Sequence, residues 1–164
     1  INKFNNLMIK KNIFCIVLMF LLTECADYKP LYSSDKSSFN IGEIDYEGND
    51  INIARKIGRD LKNIIRTKDD VRKINIIISC EKNKKIATKD TKGTATNFEI
   101  QIVINTIVTE TSSNEVLLDK KYIFQKIYQN KNSASETANL ESKIIDETVT
   151  EVVRLVNIDI QTLQ

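Results

Sequence analysis

The chain has no histidine and no tryptophan, and few cysteines, prolines or glycines. Without histidine, no Ser/His or Cys/His pair can activate a nucleophile and no Cys/His metal spacing exists. There is no glycine-rich phosphate loop and no Gly-x-Ser-x-Gly elbow. An enzyme is therefore not expected, nor a metal or a cofactor. The carboxylate pair Asp69-Asp70 sits in an expected turn and reads as surface. Of the three cysteines, Cys15 and Cys25 lie in or beside an N-terminal apolar segment, and Cys80 stands alone. No intramolecular disulfide framework is expected, although export would permit one.

Long hydrophobic runs are also missing. The longest, Ile13 to Leu22, has ten apolar residues and comes after a polar stretch with Lys3, Lys10 and Lys11. A basic n-region before an h-region of about 7–15 residues is an export signal. A spanning helix needs about 20 residues. Residues 1–24 are thus expected to be a signal peptide. Cys25 comes directly after it, where a lipoprotein precursor carries its lipidated cysteine. Leu22-Thr23-Glu24-Cys25 resembles a lipobox, except that Glu24 stands where a small residue is usual. The competing reading is an ordinary cysteine behind a non-lipoprotein signal. If acylated, Cys25 would carry a covalent lipid, and two or three chains would anchor it stably. Ala26 is next, so no Asp occupies the position that retains some lipoproteins at the inner membrane.

A one-signed charge excess is absent from the remainder. Of 24 basic and 22 acidic residues, three and one lie before Cys25, leaving 21 of each. A nucleic-acid binder would keep a basic footprint in its folded part, so nucleic acid is not an expected partner.

What is present is a sequence of amphipathic elements. Residues 25–38, rich in serine and holding Pro30, read as an extended tether, and residues 39–164 as a single domain. Phe39 to Tyr46 suits a strand with a slip near Gly42. Gly48-Asn49-Asp50 is a turn, and Asn49 or Asp50 can cap a helix. Ile53, Ile57, Leu61 and Ile64 or Ile65 form the stripe of that helix over about 50–67. Gly58 inside it costs about 1 kcal/mol against Ala unless it permits close packing.

Ile74, Ile76, Ile78 and Cys80 alternate, predicting a strand over 72–81, with Cys80 in the core. Residues 82–92 read as a lysine-rich connection. Phe98, Ile100, Ile102, Ile104 and Val108 mark a strand over 94–109, and Val116 to Tyr128 a second, joined as a hairpin. Lys120 and Lys126 share that second strand's apolar phase, so its outer parts reach solvent. Ser133 and Glu136 have capping-box spacing. They open a helix over about 135–156, with Ala138, Ile145, Val149, Val152 and Val156 on one stripe and an apolar tail after it. The expected fold class is α+β: two helices on a four-stranded, mostly antiparallel sheet, a two-layer sandwich in the order β-α-β-β-β-α.

On these residues the chain resembles the LptE family of lipopolysaccharide-assembly lipoproteins, in its alphaproteobacterial form. Cys25 followed by Tyr28-Lys29-Pro30-Leu31-Tyr32 is similar to that family's Cys-Gly-Phe/Tyr-x-Pro-Leu-Tyr opening. The Ala54-Arg55-x-x-x-Arg59-x-Leu61 helix, the Thr94-Ala95-Thr96 strand and the Ser133-Ala-Ser-Glu136-x-Ala138 opening of the last helix agree in order. Glu24 and Asp27 depart from the family pattern near the cysteine. The resemblance implies an outer-membrane lipoprotein on the periplasmic face, lipidated at Cys25. It would plug the LptD β-barrel as a 1:1 partner, assist its assembly, and help deliver lipopolysaccharide to the cell surface. Lysines can bind lipopolysaccharide phosphates as point charges. The candidates are Lys82, Lys84, Lys85, Lys89 and Lys92, then Lys120 and Lys121; for each, a solvated surface position is the plainer reading. The alternative function is a pilot or accessory lipoprotein of another secretion or transport machine.

Overall fold

The computed structural model describes residues 39–65 and 71–163. The expected signal, Cys25, the tether with Tyr28 to Tyr32, and Asp69-Asp70 lie outside the described residues.

The order is β1 (Phe39–Gly48), α1 (Ile51–Ile64), β2 (Arg72–Lys89), β3 (Ala95–Glu110), β4 (Val116–Gln129) and α2 (Ala134–Gln161). The strands form one sheet in the order β1-β2-β3-β4. β1 runs parallel to β2, and β2–β3 and β3–β4 are antiparallel. The parallel pair is a consequence of α1, because a helical crossover returns the chain to the same end of the sheet. This is the expected α+β sandwich.

Both helices cover one face. The register aligns Ile44 with Ile76 and Ile76 with Val108, then Cys80 with Ile104 and Ile104 with Tyr122. These residues belong to one buried cluster with Ile57 and Leu61 of α1 and Val149, Val152 and Val156 of α2. α1 lies over β1 and β2, and α2 over β4 and against α1. The other face carries the alternate residues, which apart from the buried Asn40 are half-buried or exposed.

Local chemistry explains the element ends. The β1 slip is a bulge between Ile41 and Ile44, into which Asn75 Oδ1 accepts the Glu43 N–H at 3.0 Å. Of the two possible caps, Asp50 takes the helix, its side chain accepting from Ile53 N–H. Asn49 instead mimics a strand: its Nδ2 donates to the Lys82 carbonyl and its Oδ1 accepts the Lys82 N–H. Gly48 adopts φ +97°, and a Cβ there would lie 2.0 Å from the Cys80 carbonyl oxygen, so only glycine fits this turn. Ser133 caps α2 by accepting from Glu136 N–H at 3.1 Å, as the capping-box spacing predicts.

Four expectations need correction. Residues 82–89 are strand and not connection: β2 continues to Lys89 because β3 runs beside it, from Lys82 against Ile102 to Lys89 against Ala95. The turn proper is short, with Asp90 Oδ1 accepting from Lys92 and Thr94 N–H. α1 stops at Ile64, where the Ile65 N–H closes on the Leu61 carbonyl. The last helix runs past its expected end at Val156 to Gln161, with Ile160 buried in the core. Finally, Ala138 is exposed. Thr137 turns inward instead, its hydroxyl donating toward Asn130 Oδ1 and accepting the Lys131 N–H, which fixes the first turn of α2.

Candidate functional site

The seven candidate lysines do not form one patch. The sheet distributes them over two faces and one turn. Residues of β2 alternate between faces, so Lys82 and Lys84 fall on the helix side and Lys85 on the open side. Lys120 and Lys121 divide in the same way. Lys89 and Lys92 lie at the β2–β3 turn.

Lys82 and Lys84 converge on α2. Lys84 Nζ donates to Glu141 Oε2 at 2.7 Å, and Tyr128 donates its hydroxyl to the same oxygen at 2.9 Å. Lys82 Nζ lies 3.1 Å from Asp50 Oδ2 and 3.7 Å from Glu141 Oε1. Below them, the Phe98 and Tyr128 rings meet at 5.9 Å between centroids. The Lys84 ammonium stands 4.5 Å from the Phe98 centroid, a cation–π distance. Hydrogen bonding to Glu141 holds the Lys84 pKa above its ordinary value. Burial opposes the charge on Glu141, but Lys84 and Tyr128 outweigh it and hold the carboxyl below its usual range. Burial, with Glu141 as acceptor, raises Tyr128.

A matching arrangement sits near the other end of α2. Asp159 accepts from Lys120 Nζ at 2.7 and 2.8 Å and from the Tyr122 hydroxyl at 2.6 Å. Each end of the helix is thus pinned by one carboxylate hydrogen-bonded to a lysine and a tyrosine, with Lys82 as a second, more distant cation at Glu141. Burial pushes the Tyr122 hydroxyl well up. Both tyrosines therefore act as donors at neutral pH.

Lys85 pairs with Glu99 at 2.8 Å on the open face. Lys121 lines a shallow depression of about 290 Å³ there with Ser79, Glu81, Val103 and Asn105. Among the described residues, Lys89, Lys92 and Lys121 make no ion pair. The arrangement can do two things. It locks α2 to the sheet with charged hydrogen bonds, and it leaves an open, mixed polar and aliphatic sheet face with free ammonium groups at its edge and turn.

Sequence reasoning missed Glu141 and Asp159. The signal was available: Glu141 is four residues before Ile145 and Asp159 three after Val156, so both acids lie along the apolar stripe of α2. Cys80 is fully buried, and burial raises its thiol to about 12; it is the core thiol expected. Among the described residues, no group of three or more Cys, Asp or Glu side chains could hold a metal. No described helix is long and apolar enough to cross a membrane.

No protein-family model matches the chain, and no curated protein does. Solved structures do resemble it. Rare lipoprotein B from Shewanella oneidensis aligns at a TM-score of 0.47 and 12% identity, over 69% of this chain and 89% of that one. A Caulobacter crescentus protein described as a lipoprotein aligns at 0.48 and 11%, over 77% and 89%. A Xanthomonas campestris protein of the DUF330 family aligns at 0.53 and 10%, over 82% of this chain and 91% of that one. The chain shares its fold with this last protein.

Proposed function

We propose that this chain is a non-enzymatic envelope lipoprotein, anchored through an acylated Cys25, and within that class an LptE-type subunit. In this reading it sits at the periplasmic face of the outer membrane, plugs and helps assemble the LptD β-barrel, and assists delivery of lipopolysaccharide. The observation that carries the proposal is the order of matched segments. Cys25 and Tyr28 to Tyr32 come first, and the matched helix, long strand and capping box succeed them on a β-α-β-β-β-α fold.

The open sheet face supports the finer reading. Barrel lumens are polar, and this face interleaves Ser79, Glu81, Asn83, Gln101, Asn105 and Gln125 with a few aliphatic side chains. Lys89, Lys92 and Lys121, the candidates without an ion pair among the described residues, are the ones available for lipopolysaccharide phosphates. Lys82, Lys84 and Lys120 are already committed to carboxylates of α1's cap and of α2.

Two measurements on protein purified from membranes test this. Intact mass should give a chain beginning at acylated Cys25. Affinity purification should bring down LptD in a 1:1 complex. An acylated chain that captures a different envelope machine and no LptD would transfer the protein to the pilot or accessory class. An unmodified Cys25 would remove the anchor.

A further inference from the structure

β4 is an edge of the sheet, and no described strand pairs with its outer side. Edge strands are usually short, interrupted by proline or blocked by inward charges. β4 has 14 residues and no proline. The direction of its free hydrogen-bonding groups can be read from its pairing with β3. The Asn130 N–H donates to the Thr96 carbonyl at 2.8 Å, and the register continues through Tyr128 against Phe98 to Tyr122 against Ile104. Even-numbered residues therefore bond to β3. In an antiparallel ladder the alternate residues point their N–H and C=O the other way. Lys121, Ile123, Gln125 and Ile127 thus offer theirs to the free edge.

Ile123 and Ile127 are also the two most exposed large apolar residues described, at 59% and 63%. They flank Gln125 symmetrically. The surrounding sequence, Tyr122-Ile123-Phe124-Gln125-Lys126-Ile127-Tyr128, reads almost identically in both directions. A two-fold interface requires such self-complementarity.

We propose that β4 is a docking edge for a second copy of this chain, joined antiparallel about a two-fold axis at Gln125 into one eight-stranded sheet. That register sets Ile123 against Ile127 of the second copy, twice, on the open face. Tyr122 meets Tyr128, and Phe124 meets Lys126, so the lysine stem lies along the ring. Asp119 comes toward Lys131 of the second copy at each end; neither makes an ion pair among the described residues, so the edge is complementary in charge to itself. The hydrogen bonds agree, since each pair closing across the new ladder joins two odd-numbered residues. Lys120 and Lys126 do not block the approach, because Asp159 and Glu147 draw their ammonium groups toward α2. A two-fold moved to Ile123 would set Asp119 against Ile127 and leave one isoleucine pair, Ile123 with itself, in place of two.

This inference rests on the fold alone and not on the lipoprotein reading; the paired sheet and a 1:1 barrel plug are mutually exclusive states, and the pairing belongs to the chain free of a barrel. The full chain in detergent tests it. At the axis the two Gln125 Cα atoms would stand about 5.5 Å apart, within disulfide reach, whereas the two Lys121 would be eight residues apart, roughly 26 Å. Mild oxidation should cross-link Gln125→Cys into a covalent dimer, with Lys121→Cys no higher than the unsubstituted chain. Light scattering should give the unsubstituted protein twice its chain mass at high concentration. Gln125→Pro removes only an outward N–H and should return a single-chain mass. Equal cross-linking at both positions would overturn the proposal. So would absent cross-linking with a single-chain mass at every concentration, leaving the edge to a strand of another protein.

Discussion

At the scale of single residues, two positions have outcomes opposite to their ordinary propensity. Alanine normally stabilises a helix over glycine by about 1 kcal/mol. At Gly58 of α1, however, a Cβ would lie 2.5 Å from Tyr46 Oη and 2.7 and 3.0 Å from two ring carbons. The rigid ring on β1 cannot retreat without leaving its contact with the helix. Gly58→Ala should therefore lose about 1–3 kcal/mol in urea unfolding, and less in a Tyr46→Leu background. A stabilised Gly58→Ala protein would refute the close packing. Thr106 goes the other way. It is fully buried, and its hydroxyl has no hydrogen-bond partner among the described residues. It sits between Ile78 and Lys120 in neighbouring strands. A buried hydroxyl without a partner costs about 1–3 kcal/mol, so Thr106→Val should raise stability by about 1 kcal/mol. A loss on this near-isosteric change would mean the hydroxyl is bonded. Both features were partly legible: Gly58 interrupted a helical stripe and Thr106 an apolar strand phase, but the neighbour that decides each sign lies on another element.

At the scale of elements, the contribution of α2 depends on the carboxylates that pin it. Glu141 has a depressed folded-state pKa, held there by Lys84 and Tyr128 against the opposing effect of burial. Its contribution is fully present above the unfolded value, near 4.3, and is lost as pH falls through the lower folded value. Glu141→Gln should cost about 1–2 kcal/mol near neutrality. The gap to the unsubstituted protein should close below about pH 4, as the wild-type carboxyl takes up its proton. Urea midpoints from pH 7 down to 3 would track this, and a constant gap would deny the charged contact. The elements themselves were readable because periodicity is local: the six came in the expected order and the caps at Asp50 and Ser133 stood where short-range spacing put them. The lysines of 82–89 misled for the same reason. Strand formation there is imposed by β3, far away in sequence, whose pairing with Lys82, Lys84 and Ile86 outweighs the polar composition. The scattering of the seven lysines has the same origin, since face and partner are set by register and not by proximity in the chain.

At the scale of the whole molecule, the sheet is supported unevenly. Between Ile74 and Cys80, β2 has β1 on one side, β3 on the other and helices above. Past Cys80, β1 has ended, and the side chain of Asn49 supplies the last edge contacts, to Lys82. From there to Lys89 the strand has only β3 beside it, and Ile86 is 47% exposed. Local opening depends on buried contacts and shielded hydrogen bonds. Amide exchange should therefore be slowest at residues 74–80 and 102–108, approaching the global unfolding limit. It should quicken by orders of magnitude over 84–96, where the hairpin tip can open without disturbing the core. Glu141→Gln should extend the fast region inward, because Lys84 would lose the carboxylate that ties the hairpin to α2. Uniform protection along β2 would show that the tip unfolds only with the whole, and that the ion-pair cluster beneath it does not act as the boundary between the two halves of the sheet.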